Sequence, residues 1–415
     1  MSRAVRALPA RADVLVPALR AALEGNGPAV LPVPAGASAG EQGRGPVGDD
    51  TAQSTDPSGT RPVGPVADEV PADVALVVRT SGSTGTPRGV LLSAAALRAS
   101  AAATADRLAG PGRWLLALPV DHIAGLQVLV RSVLARTEPA VLAPGPFRAD
   151  RFATAVTAAT SGGSGPWYTS LVPTQLLRLL EDAAGTAALR RFDAVLVGGA
   201  AAAGTLLDRA REAGVAVVTT YGMTETCGGC VYDGRTLAGV DVRLDATGRV
   251  WLAGPVLADG YQGRPDLDDE TFVVDRAGRR WLRTGDVGVL ADGVLTVTGR
   301  ADDVLVTGGV NVAPGPVEDV LTGLPGIREA CVVGAPDDEW GQVLVAVVVV
   351  EPGGPPPLAQ VRRLVADRLG SAAAPRRLVV VPALPVRGPG KPDRRAATAL
   401  AAAAVAAGTA EPDPR

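Results

Sequence analysis

Lysine and histidine are nearly absent from this 415-residue chain: one of its 40 basic residues is a lysine, Lys391, and its single histidine is His122. Chemistry that needs an amine or an imidazole therefore has one candidate of each kind. Cysteine is scarce too, and three of them do not make a disulfide framework in a chain of this size. A structural zinc site takes four ligands, and beyond the Cys227-Gly-Gly-Cys230 pair only Cys331 and His122 could supply Cys or His, so the pair reads as coincidence. No apolar run approaches the roughly 18 residues of a membrane span. The most hydrophobic stretch, Val343 to Val350, has the length and β-branching of a strand. The N-terminal segment scatters arginines and holds no uninterrupted apolar core, which argues against a signal peptide. A net charge of −3 without a clustered basic face argues against a nucleic-acid partner. The expectation is a soluble, cytoplasmic protein without membrane insertion.

What is present is core material. Hydrophobic residues make up 47% and charged residues 20%, enough for two or three domains at roughly 150 residues each. Residues 11–33 read as an amphipathic helix (Val14, Leu15, Leu19, Leu23) followed by an extended AVLPVP. Residues 35–64 are Gly, Pro, Ser, Thr, Asp and Gln with almost no large apolar side chain, the composition of a disordered linker. From about residue 71 to 299, β-branched runs (DVALVV, RWLLALPV, AVLVGG, VAVVTTYG) alternate with helical stretches at Leu97–Leu108, Pro173–Ala184 and Ala203–Ala213. That alternation predicts an α/β domain with largely parallel strands. After about Trp251 shorter strands with Gly turns suggest a β-rich subdomain. From Arg300 a further alternation (PVEDVLTGL, REACVVGAP, VLVAVVVV, Leu358–Leu369) reads as a small α+β domain. The predicted limits are 1–299 for a large N-terminal domain, 300–397 for a C-terminal one, and 398–415 for an Ala-rich tail. No internal repeat is visible.

Five segments carry chemistry. TSGSTGTPRGV, from Thr80 to Val90, follows an apolar strand and offers unobstructed backbone N–H groups and hydroxyls, as a phosphate cradle does. It lacks the Gly-Lys-Ser/Thr ending of a Walker A loop and leads into a strand-like GVLLS. In YGMTET, Tyr221 to Thr226, Glu225 is a hard carboxylate suited to Mg²⁺ beside phosphate oxygens, with Thr224 as a phosphate donor. RTGD ends on Asp286, whose carboxylate could accept two ribose hydroxyls. GRADDVLVTGG runs from Gly299 to Gly309, and GPGKPDRR carries Lys391. Each alone has a bland reading as a turn or surface run. The ordered set is what carries information.

With that set, the chain resembles the adenylate-forming superfamily of acyl-CoA synthetases, adenylation domains and luciferases over roughly residues 71–395. Within it, LPVDHIAGL, SLVPTQLLRLL, VLVGGAA and TYGMTETCGG look like the ligases that join o-succinylbenzoate to coenzyme A in menaquinone biosynthesis. The resemblance implies a two-domain fold, a large α/β domain with a β-rich subdomain plus a small mobile α+β lid. It implies two half-reactions: a carboxylate attacks the α-phosphate of ATP and expels pyrophosphate, then the coenzyme A thiol attacks the acyl carbon and expels AMP. ATP, Mg²⁺, coenzyme A and a small-molecule carboxylic acid are the implied partners, with a homodimer as the one protein assembly considered.

Roles follow by position. Thr80, Ser81, Gly82, Ser83, Thr84, Gly85 and Arg88 match the β/γ-phosphate loop. Gly198, Gly199 and Ala200 match the segment lining the adenine and acyl pocket, with Tyr221 stacking on adenine beside Gly222. Thr224 and Glu225 match the α-phosphate and magnesium contacts, Asp286 and Arg300 the ribose pair, and Asp302 the hinge. Gly308 and Gly309 match the pantetheine tunnel, Trp340 the coenzyme A nucleotide region, and Lys391 the lysine of the adenylation step. His122, Ser170 and Gln175 are candidates to hold the acid, His122 also to gate the thiol. Two departures stand out: Arg88 replaces the usual lysine, and the phosphate loop begins early, which implies an abbreviated N-terminal subdomain. Rival readings are another aryl- or acyl-CoA synthetase, a ligase loading a carrier protein, and a non-catalytic nucleotide-binding module.

Overall fold

The computed structural model describes residues 1–34, 68–81, 87–161, 165–337, 339–387, 391–407 and 410–412. The expected linker at 35–64 and the phosphate-loop residues Gly82, Ser83, Thr84 and Gly85 lie outside the described residues.

Three sheets are built before residue 301. The first joins β1 (Ser2–Pro9), β2 (Ala29–Val33), β3 (Glu69–Pro71), β4 (Val74–Ser81), β5 (Pro87–Ser93) and the short β15 (Gly260–Tyr261), in the order β15-β5-β4-β2-β1-β3. β1 is a strand that the sequence pattern does not announce: its Arg- and Ala-rich residues alternate between exposed and half-buried, so no apolar face marks it. Helix α1 (Ala12–Leu23) buries Leu15, Val16, Leu19, Ala22 and Leu23, the stripe expected of a 3.6-residue period.

The second sheet holds β6 (Arg113–Leu116), β7 (Ala140–Val141), β8 (Trp167–Leu171), β9 (Ala194–Val197), β10 (Val217–Met223), β11 (Gly228–Tyr232) and β12 (Arg235–Thr236). β7, β6, β8, β9 and β10 run parallel in that order, and β11 turns back antiparallel against β10. Helices α2 (Ala94–Arg107), α3 (Ile123–Leu134), α4 (Ala149–Thr160), α5 (Pro173–Leu180), α6 (Ala183–Leu189) and α7 (Gly204–Glu212) connect and cover these strands. The single helix expected over Pro173–Ala184 is two, because the Asp182 carboxylate accepts from the Gly185 backbone N–H at 2.7 Å and starts α6 afresh. The third sheet, β13 (Asp241–Leu244), β14 (Arg249–Ala253), β16 (Phe272–Val274), β17 (Arg280–Ala291) and β18 (Val294–Arg300), is antiparallel, with the short α8 (Pro265–Thr271) before β16.

Beyond Arg300 come the hairpin β19 (Leu305–Thr307) and β20 (Val310–Val312), helix α9 (Pro314–Thr322), and the long antiparallel pair β21 (Ile327–Asp337) and β22 (Gly341–Val350). Then follow α10 (Leu358–Leu369), β23 (Arg377–Val380), the hairpin β24 (Val386–Arg387) and β25 (Lys391–Pro392), α11 (Arg394–Ala406) and β26 (Glu411–Pro412). The valine run of β22 is explained by burial on both faces. Leu344, Ala346 and Val348 pack with α9 and α10, while Val343, Val345 and Val347 face Ala397 and Ala401 of α11. The Ala-rich segment set apart as a tail after residue 397 is therefore integral: α11 continues through it, and the Glu411 carboxylate accepts from the Leu358 N–H at 3.0 Å.

The few aromatics are all committed. An arginine guanidinium lies within 6 Å of each of the five tryptophan rings, and each of the four tyrosine hydroxyls has a hydrogen-bond partner.

Candidate active site

In a parallel sheet, groups gather where the strands end, because the loops there converge on one edge. The carboxyl ends of β6, β8, β9 and β10 bring Leu118–His122, Ser170, Gly198–Ala200 and Tyr221–Met223 to the same edge of the second sheet. Gly125 allows the first of these: a Cβ there would fall 2.1 Å from the Pro119 carbonyl oxygen, so only glycine lets α3 start against that loop.

The ribose-type pair is assembled by strand register. Asp286 of β17 and Arg300 of β18 are direct cross-strand partners, and Arg300 Nη1 stands 3.6 Å from Asp286 Oδ1. The Tyr221 hydroxyl, from another sheet, donates to Asp286 Oδ2 at 2.7 Å. Burial first, then the Asp286 charge, pushes the Tyr221 hydroxyl far above its ordinary value, so it stays a neutral donor. The Asp286 N–H donates to the buried Thr284 hydroxyl, which itself donates to the Val250 carbonyl, so the carboxylate is held from behind. Three candidates predicted from separate segments thus form one group.

A second line of contacts runs through Glu225. Its Oε1 accepts from the Tyr261 hydroxyl at 2.8 Å, and the Arg88 guanidinium sits 5.9 Å from the Tyr261 ring centroid. Burial and the Glu225 charge push the Tyr261 hydroxyl well above its usual range. Thr224 is buried at the start of a single 3₁₀ turn, Thr224–Thr226. Thr226 locks that turn: its hydroxyl accepts from the Met223 N–H at 2.9 Å and lies 2.7 Å from the Gly228 carbonyl. Cys227 then takes a left-handed φ of 51°. Tyr261 and Thr226 escape sequence reasoning, because their value lies in partners and not in any spacing. The scarcity of tyrosine was the one available signal. A single carboxylate with Oε2 free of protein donors among the described residues suits Mg²⁺, which takes one or two carboxylates and completes its shell with phosphate oxygens and water. Tyr261→Phe is expected to lower the adenylation rate about tenfold, the size of a hydrogen bond to a charged group. It should also raise the Mg²⁺ concentration for half-maximal rate, and a magnesium titration of pyrophosphate release checks this.

On the acyl side, His122 is the residue before α3, its imidazole 52% exposed and Nε2 3.9 Å from Asp121 Oδ1. Ser170 is buried on β8. Gln175 is committed to the backbone: Oε1 accepts from the Val172 N–H at 3.1 Å and Nε2 donates to the Ala117 carbonyl at 3.0 Å. It ties the loops after β6 and β8 together. Gly198 and Gly222 are close-approach positions, where a Cβ would fall 2.2 Å from Thr220 Oγ1 and 2.1 Å from the Gly228 oxygen; Gly199 has a positive φ. The two flanking thiols are not chemical groups here. Cys227 and Cys230 are fully buried in the core, and burial pushes Cys230 up to about 12.

Past β18, Arg300 reaches back to Asp286 and forward to Asp302, 4.0 Å away in the 3₁₀ turn Ala301–Asp303. Gly308 and Trp340 meet: the Gly308 N–H donates to the Trp340 carbonyl at 3.1 Å, and a Cβ on Gly308 would fall 2.7 Å from the indole. The Arg376 guanidinium covers that ring at 4.2 Å. Gly309 follows in the same turn with φ +78°. Lys391 begins the second strand of a two-strand hairpin, its backbone opposite Arg387.

A parallel-sheet edge whose tyrosine meets an aspartate–arginine pair of the neighbouring antiparallel sheet, beside a turn-borne carboxylate and with a lysine hairpin on the following α+β unit, is the arrangement of an enzyme that adenylates acids. The chain belongs to the AMP-binding enzyme family, whose description matches residues 23–299, with the AMP-binding enzyme C-terminal domain at 316–391. It is 47% identical over 388 residues, 92% of this chain and 94% of the other, to a Mycobacterium tuberculosis protein described as a probable 2-succinylbenzoate–CoA ligase. Among solved structures it is similar to the o-succinylbenzoate CoA synthetase of Bacillus subtilis bound to its acyl-adenylate intermediate. The TM-score is 0.66 at 28% identity, covering 79% of this chain and 70% of that one. The same Bacillus subtilis enzyme in complex with ATP and magnesium matches with a TM-score of 0.65 at 28% identity, over 80% and 71% of the two chains. No helix among the described residues is long and apolar enough to cross a membrane.

Proposed function

We propose that this chain is an AMP-forming ligase that activates o-succinylbenzoate with ATP and Mg²⁺ and passes the acyl group to coenzyme A, in the cytoplasm, as a step of menaquinone synthesis. The observation that carries the reading is the near full-length match to the Mycobacterium tuberculosis protein, in a chain whose Tyr221, Asp286 and Arg300 meet at one sheet edge. A carboxylate oxygen is a very poor leaving group, whereas AMP leaves readily, so adenylation prepares the acid for the thiol. Asp286 accepts the ribose hydroxyls, its oxygens oriented by Tyr221 and Arg300. Thr80, Ser81, Arg88 and the glycines between them hold the β- and γ-phosphates, and Thr224 donates to the α-phosphate. Glu225 supplies the protein's carboxylate to Mg²⁺, which when bound neutralises phosphate charge. Lys391 places its ammonium between the α-phosphate and the attacking carboxylate, where negative charge builds. In the second half-reaction the thiol attacks the acyl carbon, AMP leaves from the same carbon, and the thiol proton passes to solvent past His122. Ser170 lines the acid's pocket. Gly308, Gly309 and Trp340 form the coenzyme A side.

The large domain extends to residue 299 and the lid begins at 300, turning about Asp302 between half-reactions. Asp302→Pro is expected to keep acid-dependent pyrophosphate release within about threefold of wild type while slowing thioester formation at least about tenfold. Stopped-flow measurement of each half-reaction checks it, and equal loss in both would remove the hinge. The reading as a whole is tested by pyrophosphate release with Mg-ATP and a panel of o-succinylbenzoate, benzoates and a medium-chain fatty acid, each with and without coenzyme A. Selectivity for o-succinylbenzoate with thioester formed supports it. Preference for another acid keeps the mechanism and discards the pathway, and silence with ATP bound points to a nucleotide-binding module.

A further inference from the structure

At the opposite end of the parallel sheet, where β6 and β8 begin, the described residues line an open cleft of about 300 Å³. It lies under the C-terminal halves of α2 and α3. Trp114, Tyr168 and Arg131 line its inner part, Leu108 and Leu134 its sides, and the exposed Arg98 stands at its mouth. No aspartate or glutamate lines it.

Arg131 is the informative residue. It is 7% exposed, on a helix whose other buried positions are mostly apolar. Nη2 donates to the Thr104 hydroxyl at 3.2 Å and the Tyr232 hydroxyl at 3.3 Å, and the guanidinium lies 4.9 Å from the Trp114 ring centroid. Nε is buried with no hydrogen-bond partner, and among the described residues no carboxylate pairs with this cation. A buried charge without a counter-charge is costly, and an aliphatic side chain would avoid that cost. A place in the last turn of α3 offers Arg131 the helix carbonyls. That does not explain the unfilled space beside it, into which a cation without a carboxylate partner among the described residues is placed, over the Trp114 ring.

We propose that this cleft is a second ligand site, for a small aryl carboxylate. The carboxylate pairs with Arg131 through Nη1, since Nη2 is committed to Thr104 and Tyr232 and Nε is sealed from solvent. The ring lies against the tilted Trp114–Tyr168 pair, whose centroids are 5.0 Å apart, and against the two leucines, while Arg98 is held by the Leu23 carbonyl at 2.6 Å. The site is separate from the adenylation site, which occupies the carboxyl ends of the same strands.

Calorimetric titration with 1-naphthoate tests the assignment on the full-length protein and on three variants. Wild type and Asp286→Ala should bind equally. Arg131→Met, which removes the charge, and Ala105→Phe, which fills the space from α2 and leaves Arg131 in place, should each bind at least about tenfold more weakly. The neutral 1-naphthamide should not bind wild type, a comparison that holds even where Arg131→Met fails to fold. Competition by o-succinylbenzoate or by benzoate then shows whether the occupant is the substrate itself or another aryl acid. Loss of binding in Asp286→Ala alone, equal binding of acid and amide, or no heat with wild type up to about 1 mM would overturn the proposal.

Discussion

Lys391→Ala is expected to lower acid-dependent pyrophosphate release by about a thousandfold or more while ATP binding stays within about twofold. The half-reaction from preformed acyl-adenylate to thioester should keep most of its rate, because in the proposed role Lys391 offsets charge at the α-phosphate and not at the thiol. The distinctive arm is Lys391→Arg. This chain uses arginine at every other basic position, so a guanidinium that could do the same work would be unremarkable in its composition. A compact ammonium on a flexible stem can approach two oxygen groups at once, whereas a planar fork needs more room and a fixed direction. Lys391→Arg is therefore expected to recover no more than about a tenth of the wild-type rate. Single-turnover kinetics of both half-reactions check all of this. Full activity in the arginine variant would reduce Lys391 to a diffuse positive charge, and unchanged turnover in the alanine variant would remove it from the chemistry.

That Lys391 is proposed without coordinates reflects what kind of information is local. The segments around Thr80, Tyr221, Asp286, Asp302 and Lys391 each hold their proposed chemistry within a few residues, and the parallel α/β domain shows in alternating β-branched and Ala/Leu-rich runs. Contacts between segments are another matter. Tyr261 reaches Glu225 across 36 residues through a short strand added to the edge of another sheet, and no periodicity marks it. Arg131 looks from its sequence like a cation in the last turn of an amphipathic helix, and only packing shows it buried against Trp114. The two backbone partners of Gln175, the Val172 N–H and the Ala117 carbonyl, likewise come from different segments and leave no trace in its spacing. The Ala-rich end is compatible with a helix in sequence but reads as lying outside the domain, because alanine makes a weak amphipathic signal. Its small side chains are what let α11 lie close on the second face of β22.

Arg394→Met should be the most disruptive change to the unit that carries Lys391 without touching the lysine. Arg394 lies three residues beyond it at the start of α11, and its guanidinium joins three places. Nε donates to Asp303 Oδ2 at 3.1 Å, Nη1 and Nη2 fork onto Glu318 at 2.6 and 2.9 Å, and Nη1 also reaches the Val332 carbonyl at 2.9 Å. Burial works against the charge, but the Glu318 carboxylate outweighs it and holds the guanidinium above its ordinary range. Glu318 is only 14% exposed and also accepts from the Val332 N–H, while Asp303 is 34% exposed and belongs to the turn that contains Asp302, the proposed hinge. Removing the cation leaves two carboxylates facing the same space. A fully buried broken pair costs about 3–5 kcal/mol, and the partial exposure here lowers the expectation to about 2–3 kcal/mol. The loss should fall on the C-terminal unit, seen as faster hydrogen exchange at the Val332 amide. Adenylation should slow because the hairpin bearing Lys391 loses its anchor to the hinge turn. The double variant Arg394→Met with Glu318→Gln should recover part of the stability, since the stranded charge and not the missing contact is the larger cost. It should not recover the adenylation rate, because a neutral amide and a thioether do not rebuild the clamp. Recovery of both together would make Arg394 a matter of stability alone, whereas stability regained with adenylation still slow would make it the residue that positions the lysine.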